Sequence, residues 1–409
     1  MINALFEFVT MAFPKAGIQV GGLPLTLNML LFGLILLINF RTLPAYIQSI
    51  PNLFIPYYFL FCFSILSLMV NYSQKTVSAM EIAMTIVVIM SPLAGVAIYN
   101  LNIEHSFKIM NISTIIVGGY MIIQKVFGII NTSVIGITYT LGQDLTKKNI
   151  GYNMAVEGSE ANKMPSTYQN GNSSGLFLAS SLFLLLLWNP VKKKWKALKY
   201  IGIICSSIGL LLSGSRSILY PLLILLIFIL YSYLKNLTFR KKRNIVLVFI
   251  LFVIILFFYF LTIGNQLYSQ LYDRFFIQTV NNPTSDRGTM WDNAINYIYF
   301  LNGSSLVRFL LIGVPNNAIG SDGMMGFLLS RGVIAQISFI ICLLIPIVDL
   351  YRKKTVKVMS WILFSIFIAF MIDMSFFYLP CLMNYYFAYM IIKNKNICDE
   401  IKEANKLAN

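Results

Sequence analysis

The chain has 409 residues, of which 58% are hydrophobic and 11% charged, and its mean hydropathy is +0.75. Soluble domains carry about 25% charged residues, so this composition excludes an ordinary soluble domain. Long apolar runs recur along the whole chain, which excludes the short alternating segments of a membrane β-barrel. The composition therefore predicts a polytopic α-helical membrane protein.

About twelve apolar segments are candidates for membrane spans. They lie at 2–19, 23–40, 53–70, 79–100, 112–130, 174–189, 199–213, 217–234, 245–264, 324–348, 358–372 and 375–392. The first is interrupted by Pro14 and Lys15. We expect an all-α fold with about twelve transmembrane helices in a single integral membrane domain, 1–409.

Basic residues concentrate in three short connections between these spans. VKKKWKALK (191–199) has five lysines, KNLTFRKKR (235–243) has five basic residues, and YRKKTVK (351–357) has four. Short basic loops stay in the cytoplasm, and these three agree with one another because two spans separate each from the next. The net charge of +16 is thus explained by topology rather than by nucleic-acid binding. Both termini, including a tail at 393–409, are predicted to be cytoplasmic.

The opposite side then holds two long periplasmic loops, 131–173 and 265–323, the second with short interfacial helices. It also holds the turn at 213–217 and the turn around Asp373. Long loops on a rigid scaffold often carry function. We therefore searched this side for chemistry.

The first candidate is SGSR (213–216), at the turn before the span 217–234. Gly214 permits unusual backbone angles, and Ser215 or Ser217 is suited to cap the helix that follows. Arg216 would add a planar fork of donors that matches phosphate oxygens. An interfacial arginine that only extends to water is the alternative.

The second candidate is TSDRGTMWDNAINYI (284–298). Arg287 precedes a helical pattern with Trp291, Ile295 and Ile298 on one face, and Asp286 is a candidate cap. Such a helix suits the membrane surface. Trp291 is placed either to stack on sugars or to anchor the loop at the membrane surface. Taken alone, the motif is also consistent with an ordinary interfacial helix.

The third candidate is LLIGVPNNAIGSDGMMGFLLSRGVIAQ (310–336), a glycine-rich loop that enters a span. Asp322 lies near the start of that helix, where an aspartate commonly caps. Arg331 lies about 13 Å deeper at 1.5 Å per residue, and a charge there normally faces a polar cavity or a partner. Asp373 is the partner we considered.

Lys125 and Arg274 join Arg216, Arg287 and Arg331 as cations on the predicted outer side. This accumulation is unexpected under the positive-inside rule, and an anionic ligand at headgroup depth explains it. Pyrophosphate on a lipid carrier fits, since its tail needs the bilayer. The single histidine, His105, is predicted on the cytoplasmic side, so a Ser–His triad is excluded on the outer face.

These motifs, in this order and on this side, resemble the bacterial O-antigen polymerase and ligase superfamily of membrane glycosyltransferases. SGSR (213–216), SDRGTMWDNA (285–294) and LIGVPNNAIGSD (311–322) followed by SRGVIAQ (330–336) carry the resemblance. It implies an enzyme of lipopolysaccharide or other surface-polysaccharide biosynthesis. Its substrates would be repeat units on undecaprenyl pyrophosphate, and a membrane protein that regulates chain length would be a partner.

The resemblance also implies roles for individual residues. Arg216 and Arg287 would bind the donor pyrophosphate and stabilise the departing charge, without a metal or another cofactor. Asp322 would accept the acceptor's proton or cap its helix; Asp322-Gly323 stands where Asp-Asn is more usual. Lys125, Arg274, Trp291 and Arg331 are the expected substrate-binding residues. Glu157 and Glu160 are other candidate bases with no motif behind them.

Three activities stay open at this point. Ligases of the superfamily have a histidine near the end of the second loop, and its absence here favours a polymerase. A flippase for lipid-linked oligosaccharides, or another secondary transporter, is the competitor from a different class. Transporters often show internal repeats and polar residues at mid-membrane depth. No repeat is evident here, and the polar residues concentrate on one side.

Overall fold

The computed structural model describes residues 1–20, 23–73, 79–142, 163–235, 287–314, 323–353 and 356–408, with residues 272, 277 and 280. Within these ranges the chain is helical apart from one short β-hairpin. The prediction of an all-α protein is confirmed, with the hairpin as an addition.

Before the first long loop the elements are α1 (Ile2–Ala12), β1 (Gly17–Val20), β2 (Leu23–Thr26), α2 (Leu27–Ile38), α3 (Leu43–Ser49), α4 (Pro51–Ser73), α5 (Ala79–Met90), a 3₁₀ turn (Ser91–Ala94), α6 (Gly95–Tyr99) and α7 (Ile103–Phe127). After it come α8 (Gly171–Leu187), α9 (Lys193–Leu212), α10 (Arg216–Lys235), α11 (Arg287–Tyr299), α12 (Gly303–Ile312), α13 (Gly323–Arg331), α14 (Val333–Tyr351), α15 (Lys357–Ile372), a 3₁₀ turn (Met374–Phe377) and α16 (Leu379–Ala408).

Five of the described helices are long and apolar enough to cross a membrane. They are Pro51–Tyr72, Glu81–Tyr99, Ile103–Phe127, Lys193–Leu212 and Val333–Tyr351. A sixth results if α2 and α3, which meet at 95°, form one broken span. The predicted span 245–264 lies outside the described residues, so the total of twelve spans stays a prediction.

Two predicted spans are interrupted for identifiable reasons. The span predicted at 2–19 is helical only to Ala12, because Pro14 disfavours helical angles at the preceding residue, and the β-hairpin begins at Gly17. The span predicted at 324–348 breaks at Gly332, whose φ is +88°. A Cβ there would lie 2.8 Å from the Phe309 carbonyl oxygen, so glycine allows α12 to pack into the break.

The core of the bundle surrounds α16, which packs against α1, α5, α6, α7, α8, α14 and α15. Its residues from Leu382 to Ile392 are almost completely buried, although three of them are tyrosines. The residues predicted as the tail, 393–409, continue this helix to Ala408, and the Asn394 side chain donates to the Ile98 carbonyl at 3.3 Å. In contrast, α4 and α9 expose leucine, isoleucine and phenylalanine side chains outward, as lipid-facing helices do.

Contacts between connections define two ends of the bundle. At one end, Asn100 donates to the Asn39 side chain at 3.0 Å and Lys393 donates to the Ser49 carbonyl at 2.7 Å. The connections 188–193 and 351–357 lie at this end, which we call the basic end.

The opposite end, called the site end, joins the hairpin, the first long loop, the α9–α10 turn and the turn around Asp373. The Tyr168 hydroxyl donates to the Met11 carbonyl at 2.8 Å, and the Met164 amide donates to the Leu212 carbonyl at 3.0 Å. Described helices therefore run alternately between a basic end and a site end.

Candidate functional site

The tight turn Ser213–Ser215 positions the start of α10 at the site end. Gly214 has a φ of +58°, a left-handed angle that glycine adopts without strain. The Ser213 hydroxyl donates to the Leu210 carbonyl at 2.7 Å, which closes the end of α9. A Cβ added at Gly171 would overlap the Ser213 carbonyl oxygen, so α8 begins directly against this turn.

Arg216 is the first residue of α10 and is half-buried. Burial lowers the pKa of its guanidinium group, nearby Tyr220 raises it, and Arg287 lowers it. The effect of Arg287 is repulsion between like charges, which requires the two guanidinium groups to be close. The fold thus brings together the two arginines that the sequence singled out.

Arg287 begins α11 and is held by Asp373. One Nη of Arg287 lies 3.3 Å from Oδ2 of Asp373, and both side chains are largely buried. Asp373 is itself fixed, because its Oδ1 accepts hydrogen bonds from the Ser375 amide, at 2.8 Å, and from the Ser375 hydroxyl. The carboxylate therefore has a fixed orientation from which it positions Arg287.

Asn172 completes the cluster from the first turn of α8. Its Nδ2 donates to Oδ2 of Asp373, the same oxygen that receives Arg287. Its Oδ1 accepts from Nζ of Lys163, which is 8% exposed, at 3.4 Å. Since a lysine can only donate, this contact orients the Asn172 amide with its NH₂ group toward Asp373.

We call Lys163, Asn172, Arg216, Arg287 and Asp373 the site cluster. Its members come from the first long loop, α8, α10, α11 and the turn after α15. Three carry positive charge and one negative. Chemically, two convergent arginine forks in a partly buried place suit a multiply charged anion with planar or tetrahedral oxygens, such as a diphosphate.

α11 is placed by a small apolar contact. Ala294 is fully buried and packs with Phe309 of α12 and Leu329 of α13. This contact holds the middle of α11, two helical turns beyond Arg287. Trp291, predicted to bind substrate, is half-buried on the same helix, one turn beyond Arg287.

Arg331 does not join the site cluster. It is 3% exposed, and its Nε donates to the Thr85 hydroxyl at 2.8 Å. Its two Nη atoms donate to the carbonyls of Ser330 and Glu81, at 2.8 and 3.3 Å. The expected pairing with Asp373 is therefore wrong, because α13 ends beside α5. Arg331 connects those two helices, and its role in substrate binding stays a prediction.

Lys125 lies in the last turn of α7, half-buried and close to the first long loop. The neighbouring Gln124 accepts from the Ser166 amide at 2.8 Å and donates to its carbonyl at 3.3 Å. These bonds hold the loop segment that carries Lys163 against α7. The structure thus places Lys125 at the site end, and its contact with substrate stays a prediction.

Four candidates fall outside the described residues: Arg274, Asp322, Glu157 and Glu160. Gly323, which follows Asp322, is described. Its φ is +61°, and a Cβ there would lie 2.6 Å from the Met371 carbonyl oxygen. The backbone immediately after Asp322 thus packs two residues before Asp373.

Sequence reasoning missed Lys163 and Asn172 as site residues. A usable signal was the polar run QNGNSSG (169–175), which opens an apolar helix on the same side as SGSR. In the described part of the chain, no three His, Cys, Asp or Glu side chains lie close enough to hold a metal ion. His105 is exposed near the start of α7, at the basic end.

Comparison with known proteins gives one family match. Residues 201–304 match the family model described as O-antigen ligase. The matched segment includes Arg216, Arg274, Arg287 and Trp291, and ends before Asp322 and Arg331. No curated protein matches the chain.

Members of this family are membrane glycosyltransferase-like enzymes that act on lipid-linked polysaccharide. The apolar helices agree, since they indicate a multi-pass membrane protein. The match over residues 201–304 is therefore consistent with the O-antigen polymerase and ligase superfamily.

Proposed function

We propose that this protein is an O-antigen or related surface-polysaccharide polymerase of the bacterial inner membrane. It transfers a growing glycan from undecaprenyl pyrophosphate to the terminal sugar of another carrier-linked repeat unit. The observation that carries the proposal is the approach of Arg216 to Arg287, with Asp373 positioning the latter. The family match supports the general class of enzyme.

The arrangement of charge supports periplasmic chemistry. The basic connections 191–199 and 351–357 lie at the end of the bundle opposite the site cluster. Under the positive-inside rule the basic end faces the cytoplasm, so the site end faces the periplasm. Twelve spans with both termini inside complete this proposed topology.

The donor's pyrophosphate would bind between Arg216 and Arg287. Transfer breaks the bond between the anomeric carbon and a phosphate oxygen, and forms one between that carbon and an acceptor hydroxyl oxygen. The leaving lipid diphosphate gains negative charge as the bond breaks, while the acceptor hydroxyl loses its proton. Arginine forks fixed in advance stabilise that developing charge, so this step needs no metal.

Asp322 is the proposed acceptor of the hydroxyl proton. Its neighbour Gly323 packs beside the segment that leads to Asp373, while Asp322 itself lies outside the described residues. Asp373 is less suited to this role, because its oxygens already accept from Ser375, Asn172 and Arg287. Asp373 acts instead by positioning Arg287.

Ligase activity is the second candidate, since the matching family model is described as O-antigen ligase. Polymerase is preferred because the chain's one histidine, His105, lies at the basic end. No imidazole is thus available at the site end to act as the loop histidine of the ligases.

The direct test uses the purified full-length protein in lipid vesicles with carrier-linked repeat units. We expect longer glycans on the carrier, and loss of them in Arg216→Ala and Arg287→Ala. Arg352→Ala, which removes an exposed arginine at the basic end, is the matched control and should retain activity. Movement of unextended units across the bilayer without elongation would instead show a flippase.

A gene deletion separates polymerase from ligase. Loss of the polymerase leaves single repeat units attached to the surface lipid. Loss of the ligase leaves long carrier-linked chains that never reach the lipid A core. Single repeat units on the surface lipid would support the proposal. Long carrier-linked chains that never reach the lipid A core would contradict it.

A further inference from the structure

Glu7 is an unexplained carboxyl group in the interior of the bundle. It lies in the middle of α1 and is 0% exposed. Neither of its carboxyl oxygens makes a hydrogen bond of standard geometry, although the Ser106 hydroxyl lies close enough to favour the charged form. α1 packs against α2, α6, α7 and α16, so the group is enclosed on several sides.

No basic side chain compensates Glu7 among the described residues. α2 and α6 carry no charged residue. Among the adjoining elements, the charged groups whose side chains are described are the Met1 amino group, Glu104, His105, Lys108, Lys125, Lys393 and Lys395. Of these, Lys108 pairs with Glu104 at 3.6 Å and Lys393 with Asp349 at 3.8 Å. None forms an ion pair with Glu7.

Hydroxyl groups surround the carboxyl group instead. Ser106 of α7 faces it, and Thr10 lies one turn further along α1; both are fully buried without a hydrogen-bond partner. Some buried hydroxyls bond back to their own helix, as Thr114 does to the Met110 carbonyl at 2.7 Å, while others, such as Ser64 and Ser113, also lack a partner. Ser106 and Thr10 differ from these in their place, since Ser106 faces Glu7 and Thr10 lies three residues from it on α1.

A bare carboxylate in such a place costs far more free energy than a neutral acid does. Either a bound cation or a bound proton must therefore offset the charge. A hard cation needs about six oxygen ligands, while a proton needs only the carboxyl group itself. The two oxygens of Glu7 with the hydroxyls of Ser106 and Thr10 are too few for a cation, so the proton is favoured.

A line of amides connects Glu7 with the basic end. The side chain of exposed Asn100 donates to Oδ1 of Asn39 at 3.0 Å, and Nδ2 of Asn39 donates to Oδ1 of Asn3 at 2.9 Å. Asn3 and Glu7 are four residues apart on α1, so they share one face of the helix. This line leads from the surface at the basic end to one helical turn from the carboxyl group.

From this arrangement we propose that Glu7 is a proton-binding site inside the membrane bundle, with the line of Asn100, Asn39 and Asn3 leading from the basic end to within one helical turn of it. The ligand is a proton, held by the carboxyl group with Ser106 and Thr10 as neighbouring hydroxyls. Carboxyl groups within membrane bundles commonly serve proton or ion binding. This proposal does not depend on the glycosyltransferase activity.

Dicyclohexylcarbodiimide tests the proposal, because it reacts with protonated carboxyl groups in apolar surroundings. The acid adds to the carbodiimide, and the product rearranges to a stable N-acylurea that mass spectrometry detects. In the purified full-length protein we expect modification at Glu7, decreasing as the pH rises. Exposed Glu104 serves as the internal comparison for non-specific reaction.

Sodium and choline chloride distinguish a proton site from a cation site. Equal modification of Glu7 in both salts supports a proton site. Protection by sodium alone would overturn the proposal in favour of a sodium site. Absence of modification at Glu7 at every pH would overturn it as well.

A second measurement uses Glu7→Gln, which keeps the shape of a neutral acid. An unfolded glutamate ionises near pH about 4.3, so the folded state holds a proton that the unfolded state releases above that pH. The Tm of the native protein should therefore fall relative to that of the variant as the pH rises. Parallel Tm curves would show that Glu7 binds no extra proton in the folded state.

Discussion

Both ends of the bundle bury a cation beside an aspartate, yet their electrostatics differ. At the basic end, burial lowers the pKa of Lys393, Asp349 at 3.8 Å raises it, and the nearby cation Lys353 lowers it. The Tyr389 hydroxyl donates to the Asp349 carboxylate at 2.6 Å, and Lys393 also donates to a backbone carbonyl. Asp349 thus connects α14 with α16.

At the site end, Arg216 also has a cation, Arg287, as a charged neighbour. The one aspartate of the site cluster is shared between Arg287 and Asn172. Bringing like charges together costs free energy, which a bound anion would offset. The comparison teaches that neither a buried ion pair nor a like-charged neighbour alone marks a site; the site end differs because its neighbouring cations are arginines, whose forks suit an anionic ligand.

The largest expected effect is at Arg216. Arg216→Ala should lower turnover on the order of 10²–10³-fold, by analogy with the loss of one oxyanion donor. Glycan length and initial rate in vesicles measure it, at equal protein levels. Arg216→Lys keeps the charge but not the fork, so a partial loss is expected. Full activity of Arg216→Ala would remove the distinction between the two ends.

The next effect is at Gly171, where packing rather than charge is tested. Gly171→Ala should destabilise the protein by about 1–3 kcal/mol, because its Cβ overlaps the Ser213 carbonyl oxygen and displaces the turn before Arg216. Thermal unfolding in detergent measures this. Gly33→Ala is the matched control: no atom lies within 4 Å of its added Cβ, so stability should stay equal or increase slightly.

The variant Asp373→Asn tests whether Asp373 acts by positioning Arg287 rather than by binding substrate. Asp373→Asn keeps an acceptor for Ser375 but loses the charge that holds Arg287, a change of about 1.5 kcal/mol or about tenfold in turnover. Saturation kinetics should show the loss mainly in kcat if Arg287 acts on the departing charge. An unchanged kcat would contradict the positioning role assigned to Asp373.

The smallest effect is expected at the basic end. Lys393→Met keeps much of the side-chain volume but removes the partner of Asp349, which remains bonded to Tyr389 and is partly exposed. We expect a stability loss of about 1 kcal/mol and unchanged turnover. A loss of turnover comparable to that of Arg216→Ala would show that both ends serve the reaction.

The helical class, most helix positions and the location of Arg216 and Arg287 at one end of the bundle could be predicted, since apolar periodicity and turn chemistry are local properties. The helix breaks after Ala12 and at Gly332 were harder to predict from the sequence, because they depend on packing between helices as well as on local backbone angles. Arg331 shows the same limit. Its depth was predicted, but its partners Thr85 and Glu81 belong to a helix far away in sequence.

The sequence by itself determined the membrane class and the separation of the basic loops from the cations of the site end, because hydrophobicity and charge pattern depend on the residues themselves rather than on tertiary contacts. Only the tertiary structure decided which cations converge and which aspartate positions them. Asn172, Arg287 and Asp373 meet because α8, α11 and the turn after α15 pack at one end. Contacts of this kind depend on distances of a few ångströms between segments remote in sequence, and no local pattern encodes such distances.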